Sequence, residues 1–193
     1  IAVLFVAVLA ASTYGATLIP ADATRTLLES HQGLVARHAR ERITAIYGVP
    51  FATDSDPQTS TENFVDWFID EYADAFGVEN VILEQVRPAD YIRNNKFAVY
   101  TFEQRTPDGL PVHATMVKIP VLLGPTEKIG YVGIRLIPLP STFPADTIGE
   151  QQALLIVAGM TEYAQLINHS DPQLVAYEDE MRVVRRCWRF VRW

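Results

Sequence analysis

The sequence predicts an α+β fold, an antiparallel sheet meander packed on a helix and followed by a small β/α unit. Three observations carry that prediction. The runs KFAVYTFEQR, LPVHATMVKIPVLL and IGYVGIRLI follow one another with short turn sequences between them, as an antiparallel meander requires. Ahead of them, residues 60–76 place apolar side chains at a 3–4 spacing. Behind them, Pro138, Pro140 and Pro144 mark a break before the helix-spaced TIGEQQALLIVAGM and two further strand-like runs.

The 193 residues suffice for one substantial domain or two small ones, and 49% hydrophobic with 20% charged residues is ordinary globular composition. A formal charge of −7 argues against nucleic acid as a partner, because phosphate binding needs a positive field over the contact surface. Cys187 is the one cysteine, which rules out an intrachain disulfide and a cysteine-rich zinc site.

Taken in order, residues 1–11 are an unbroken apolar run followed by small residues. That pattern matches the hydrophobic and cleavage regions of a secretory signal peptide and is short for a membrane span. The expectation is therefore a signal over residues 1–16 and an exported protein, secreted or periplasmic, with no membrane contact after signal removal. Residues 24–48 read as a short helix and then a strand ending near Gly48. The loop 52–60 closes with Thr59-x-x-Glu62, a capping-box spacing. In the helix that follows, Val65, Phe68, Ile69, Tyr72 and Phe76 form the apolar stripe, Asp66, Asp70 and Asp74 turn away, and Gly77 terminates it. VILEQV is a short strand before the meander, and QLVAYEDE with RVVRRCWRFVRW reads as a closing strand pair.

A search for chemistry returns bland readings. No H-E-x-x-H is present, and His31 and His38 stand seven apart without a ligand-spaced carboxylate. G-x-S-x-G elbows and Gly-rich phosphate loops are missing, and His169-Ser170-Asp171 are sequence neighbours rather than a folded triad. Cys187 beside Trp188 reads as a packed thiol, and Asp54 with Asp56 as loop residues rather than a calcium loop. Arg182, Arg185, Arg186, Arg189 and Arg192 with interleaved aromatics imitate a nucleic-acid platform, but a half-exposed strand whose arginines cover apolar neighbours explains them in an acidic chain. Arg185-Arg186 also fits a processing site, and Asn168-His169-Ser170 a glycosylation acceptor. The expectation is a chain with no catalytic, metal or cofactor residues of its own.

The stretch FEQRTPDGLPVHATMV, residues 102–117, raises the question of a catalytic histidine. Asp108-Gly109 supplies a tight turn. On the second arm, His113, Thr115, Val117, Ile119 and Val121 share one face, and Val112, Ala114, Met116 and Lys118 share the other. His113 then reads as a strand residue near a turn, and the hairpin as scaffold.

These same residues carry a family resemblance. STENFVDWFIDEYADAFGVE, then FAVYTFEQRTPDGLPVHATMVKIPV, then IGYVGIRL resembles the fungalysin/thermolysin propeptide (FTP) domain: a helix ending in Phe76-Gly77, an aromatic strand with Phe102 and Gln104, and the arm Gly109-Leu110-Pro111-Val112. TIGEQQALLIVAG, LVAYEDE and CWRFVRW are similar to a PepSY-type unit. The resemblance implies an FTP-like domain over residues 17–143 and a PepSY-like unit over 144–193. It also implies a non-catalytic pro-region of a secreted zinc metallopeptidase, acting as intramolecular chaperone and temporary inhibitor. Its partner would be the catalytic domain, in cis or in trans. Contact through the sheet surface and the hairpin residues Gly109, Leu110, Pro111, Val112 and His113 is the corresponding expectation. The alternative is a free-standing exported module that inhibits another peptidase or binds a cell-envelope component. Continuation of the reading frame past Trp193 into an H-E-x-x-H sequence separates the two.

Overall fold

A computed structural model describes residues 2–7, 22–40, 42–54, 60–78, 80–143, 148–160, 168 and 170–192. The chain is α+β, with a six-stranded sheet of antiparallel pairs and few helices. Two compact units form: a larger one from residues 17–105 and 114–138, and a smaller one from 1–16, 106–113 and 139–193. The division expected at 143/144 is continuous in sequence, whereas these units are not, because main-chain atoms of residues 111–113 pair with Ala176 of the smaller unit.

In the larger unit, helix α1 (Asp22–Ser30) precedes strands β2 (Val35–Ala39) and β3 (Arg42–Asp54). Helix α2 (Thr61–Tyr72) runs into a 3₁₀ turn (Ala73–Phe76). Strands β4 (Ile82–Ile92), β5 (Phe97–Arg105), β6 (Met116–Leu122) and β7 (Glu127–Arg135) then form the meander. The spatial order is β2-β3-β7-β6-β5-β4, so the meander closes against the earlier hairpin. Where the sequence reads as one strand after α1, the structure has a hairpin. Its turn follows Ala39, where Arg40 takes φ +48°, and its open end depends on Gly48, at φ +141°, because a Cβ there would lie 2.1 Å from the carbonyl oxygen of Gly33.

Strict alternation builds the core. Ala98, Tyr100 and Phe102 on β5 stand opposite Val121, Ile119 and Val117 on β6, and all are buried beneath the helices. A bulge at the β2–β3 pairing lets Ile43 and Ile46 both join them. From α2, Phe64, Val65 and Phe68 are buried, with Ile69 and Tyr72 at the margin, so the apolar stripe faces the sheet as the spacing requires. Phe68 packs against Phe51, Tyr72 and Phe76 with ring centroids 5.0 to 6.2 Å apart. Thr59 lies outside the described residues. The helix is capped by Ser60, whose hydroxyl accepts from the Asn63 N–H at 3.2 Å, and Gly77 ends the turn in the left-handed region, as its position implies. The Thr24 hydroxyl donates to the Ala75 carbonyl at 2.9 Å and ties α1 to that turn.

One buried amide pins the end of the meander. The Gln104 side chain donates to the Ile137 carbonyl at 2.8 Å and accepts from the Ile137 N–H at 3.1 Å, substituting for a peptide group beside residues that have left the sheet. The Gln104 N–H itself donates to the Thr115 hydroxyl at 3.0 Å.

In the smaller unit, β1 (Ala2–Ala7), β9 (Val184–Arg192) and β8 (Gln173–Glu178) form a three-stranded sheet in the order β1-β9-β8. The first residues of the expected signal segment are thus the strand partner of β9, and residues 8–16 lie outside the described residues. Helix α3 (Glu150–Ala158) buries Ala153 and Val157 with Phe190. The Trp188 indole N–H donates to the Ile148 carbonyl at 3.2 Å. The closing strand pair expected from the sequence is β8–β9.

Phe68→Ala is expected to cost about 3–5 kcal/mol in chemical denaturation, since it empties the centre of the helix–sheet contact. Gln104→Leu keeps the volume but strands both polar groups of Ile137, and about 2–4 kcal/mol is expected. A parent-like midpoint for either variant would refute the corresponding packing role.

Candidate functional site

The six strands have two unlike faces. One is sealed by α1 and α2. The other carries the alternate residues of the same strands, and no element of the larger unit packs on it among the described residues. Register places Val35, Tyr47 and Tyr131 side by side on β2, β3 and β7, and Phe97 beside Leu122 on β5 and β6. Tyr47 is 40% exposed and Tyr131 44%, with Val35, Met116 and Leu122 also exposed. The Tyr131 ring lies over Gly133 on this face, since a Cβ at Gly133 would meet its hydroxyl oxygen at 3.2 Å. The result is an aromatic belt across β2, β3 and β7, with a second apolar pair on β5 and β6.

Charge is arranged around that belt. Arg105 holds Glu84 and Glu103 at 2.7 Å each, and Arg87 holds Asp90 at 2.7 Å. Arg37, Lys118, Lys128 and Arg135 occupy outward register positions between and beyond the aromatic residues.

The sheet edges are closed to strand addition. Strand β4 is exposed along its length but carries Pro88 and two register breaks, between Gln85 and Arg87 and between Arg87 and Asp90. Strand β2 is five residues long and bulged between Arg37 and His38.

The hairpin residues belong elsewhere. Gly109 adopts φ +85° with open space where a Cβ would project, and its N–H donates to the Thr106 carbonyl at 2.9 Å, so the Asp108-Gly109 turn is as expected. The second arm is not continuous. Ala114 takes φ +61°, which interrupts the extended backbone, and β6 begins only at Met116. Val117, Ile119 and Val121 do share one buried face, but His113 does not stand in line with them. Instead, Val112 is buried and bridges Ala176 in parallel: the Ala176 N–H donates to the Pro111 carbonyl at 3.0 Å, and the His113 N–H to the Ala176 carbonyl at 2.7 Å. The His113 ring sits 6.0 Å from that of Tyr177. Residues 111–113 thus serve as an extra edge of the smaller sheet, and Leu110 is half-buried beside them.

Two carboxylates organise this smaller unit. Asp108 accepts from the Thr106 hydroxyl at 2.7 Å and from Arg186 at 2.5 Å, and the hydroxyl, then the guanidinium, hold its pKa below the usual carboxylate range. Asp179 folds the β8–β9 turn. Burial opposes its charge, but the Val183 and Met181 amides at 2.9 Å and Arg185 at 3.1 Å outweigh that and lower its pKa. Arg189 donates to Gln173 at 2.6 Å, and Arg186 also lies 5.2 Å over the Phe143 ring. These arginines of the basic run are engaged within the unit, as the reading of a covered strand requires.

The remaining candidates are dispersed. His31 closes α1, its Nδ1 2.9 Å from the Ser30 hydroxyl, and His38 is exposed on β2. Cys187 is a buried thiol between Val175 and Ala7 in register. Asp56 and His169 lie outside the described residues. Among the described residues, no three His, Cys, Asp or Glu side chains gather to hold a metal, and no helix is long and apolar enough to cross a membrane.

No family model and no curated protein matches the chain. Among solved structures, the Bacillus megaterium YpeB C-terminal domain aligns over 89% of this chain and 84% of its own, at 12% identity and a TM-score of 0.40.

Both Asp108 and Asp179 have folded pKa values below their unfolded ones. Their stabilisation is therefore full above the unfolded value of about 3.9 and is lost as pH falls through the lower folded values. The smaller unit is expected to lose stability in acid, and Asp179→Asn to flatten that dependence. An acid limb that is unchanged in Asp179→Asn would mean that the turn carboxylate carries none of it.

Proposed function

We propose that the chain is a non-catalytic docking module that works as the pro-region of a secreted zinc metallopeptidase, assisting its folding and covering it until activation. The observation that supports this reading is the outward face of the six-stranded sheet, on which Tyr47 and Tyr131 stand side by side and exposed. A folding assistant and temporary inhibitor needs a rigid, preformed surface that binds the folded partner and not the unfolded chain. Antiparallel pairing from β2 to β4 makes that face stiff, and burial on the opposite side holds it in register. The FTP-like pattern enters here as supporting resemblance: the helix ending at Phe76-Gly77 packs beneath the sheet, and Gln104 closes it.

The test is the purified chain added to a thermolysin-type zinc metallopeptidase turning over a fluorogenic peptide. Dose-dependent inhibition is expected, together with a higher yield of active peptidase when the denatured enzyme refolds beside it. The double variant Tyr47→Asp, Tyr131→Asp should fold and lose both effects. Absence of inhibition and of refolding assistance by the parent chain would overturn the pro-region reading.

A further inference from the structure

We infer that the open sheet face takes an acidic protein surface, one that rings an apolar centre with carboxylates. The inference rests on the docking reading of that face and adds the chemistry of what docks.

Its basis is a local reversal of sign. The chain as a whole carries −7, yet each carboxylate at an outward position on these strands, Glu84, Asp90 and Glu103, is already held by Arg87 or Arg105. Arg37, Lys118, Lys128 and Arg135 make no ion pair among the described residues. Arg105 is shared by two of these carboxylates, so what the face offers beyond its apolar belt is a net positive charge rather than a purely positive one.

Their placement makes a frame. Arg37, Ala45, Gly133, Lys118 and Thr101 lie in one row across successive strands, about 4.8 Å apart. The row sets two cations on either side of small residues, which leaves their long stems room to lean over the sheet. Along β7, Lys128 and Arg135 stand at opposite ends of the strand that carries Tyr131. A partner with an apolar centre and peripheral Asp or Glu side chains satisfies both the belt and the frame, and charge complementarity of this kind sets orientation and encounter rate.

A nucleic acid fits less well, although its bases could stack on the tyrosines. A polyphosphate extends its charge beyond a small patch and would meet the field of an acidic protein, whereas a folded acidic surface pairs over the patch alone.

The experiment is an NMR titration of the full ¹⁵N-labelled chain with three probes: an amphipathic peptide of Leu and Glu, its Leu and Lys counterpart, and a ten-residue oligothymidylate. The Glu peptide is expected to move the amide resonances of Tyr47, Lys118 and Tyr131, and to weaken as salt rises. Lys118→Glu with Arg135→Glu should reduce its affinity about tenfold or more. Arg37→Glu with Lys128→Glu provides the same reading from the other strands if the first pair perturbs the fold. Equal binding of the Lys peptide, preference for the oligonucleotide, an unaltered affinity in both reversal variants, or no response to the Glu peptide would each overturn the inference. The docking reading fails on a different result, namely inhibition of the peptidase untouched by Tyr47→Asp, Tyr131→Asp.

Discussion

Everything in the larger unit depends on one-sided burial of an antiparallel sheet. Because side chains alternate strictly across a strand, the six strands can give Ala98, Tyr100, Phe102, Val117, Ile119 and Val121 to the helices only by turning the intervening residues outward. The same constraint that builds the core thus exposes a second surface of equal extent. A slip of one residue in any strand would exchange the two, placing Lys118 or Arg135 under α2, so the stability of the core also fixes the composition of the open face.

Two devices hold that arrangement where alternation alone would fail. The bulge between β2 and β3 resets the parity of β3, which keeps Ile43 and Ile46 inside while Tyr47 points out. At the other end, Leu136 and Ile137 leave the sheet while still buried, and the Gln104 amide supplies the donor and acceptor that Ile137 would otherwise lack. The smaller unit solves an analogous problem with borrowed chain: residues 111–113 pair with β8, and Asp179 collects the amides of the turn that follows.

Much of the fold was legible because its strongest signals are local. The α2 stripe, Gly77, the meander and the β8–β9 pair all follow from periodicity and turn chemistry within a few residues. What escaped was non-local. Residues 35–54 divide into a hairpin at Arg40, a non-glycine residue at φ +48°, and its open end closes where Gly48 approaches Gly33 through space; nothing in the spacing of HQGLVARHARERITAIYGVP marks either. The hairpin around Asp108-Gly109 looked continuous because TMVKIPVLL alternates so well. Ala114 in the left-handed region, and the backbone pairing of Ala176 with Pro111 and His113, are tertiary facts. The candidate site shows the same division. Outward residues of each strand could be read as exposed, but the adjacency of Tyr47 with Tyr131, and of Arg37 with Lys118 across two small residues, exists only once register is known.

On the proposed docking function, the outward face of the six-stranded sheet is the surface a partner covers. Hydroxyl-radical footprinting of the chain with and without the proposed partner, a thermolysin-type zinc metallopeptidase, tests it most directly, since tyrosine and methionine side chains report their own solvent contact. Tyr47, Tyr131 and Met116 are expected to be protected on binding, while Tyr91 on the β4 edge and Met181 in the β8–β9 turn, exposed by 56% and 83%, keep their reactivity. Protection of Tyr91 or Met181 with Tyr47 and Tyr131 unchanged would contradict the account.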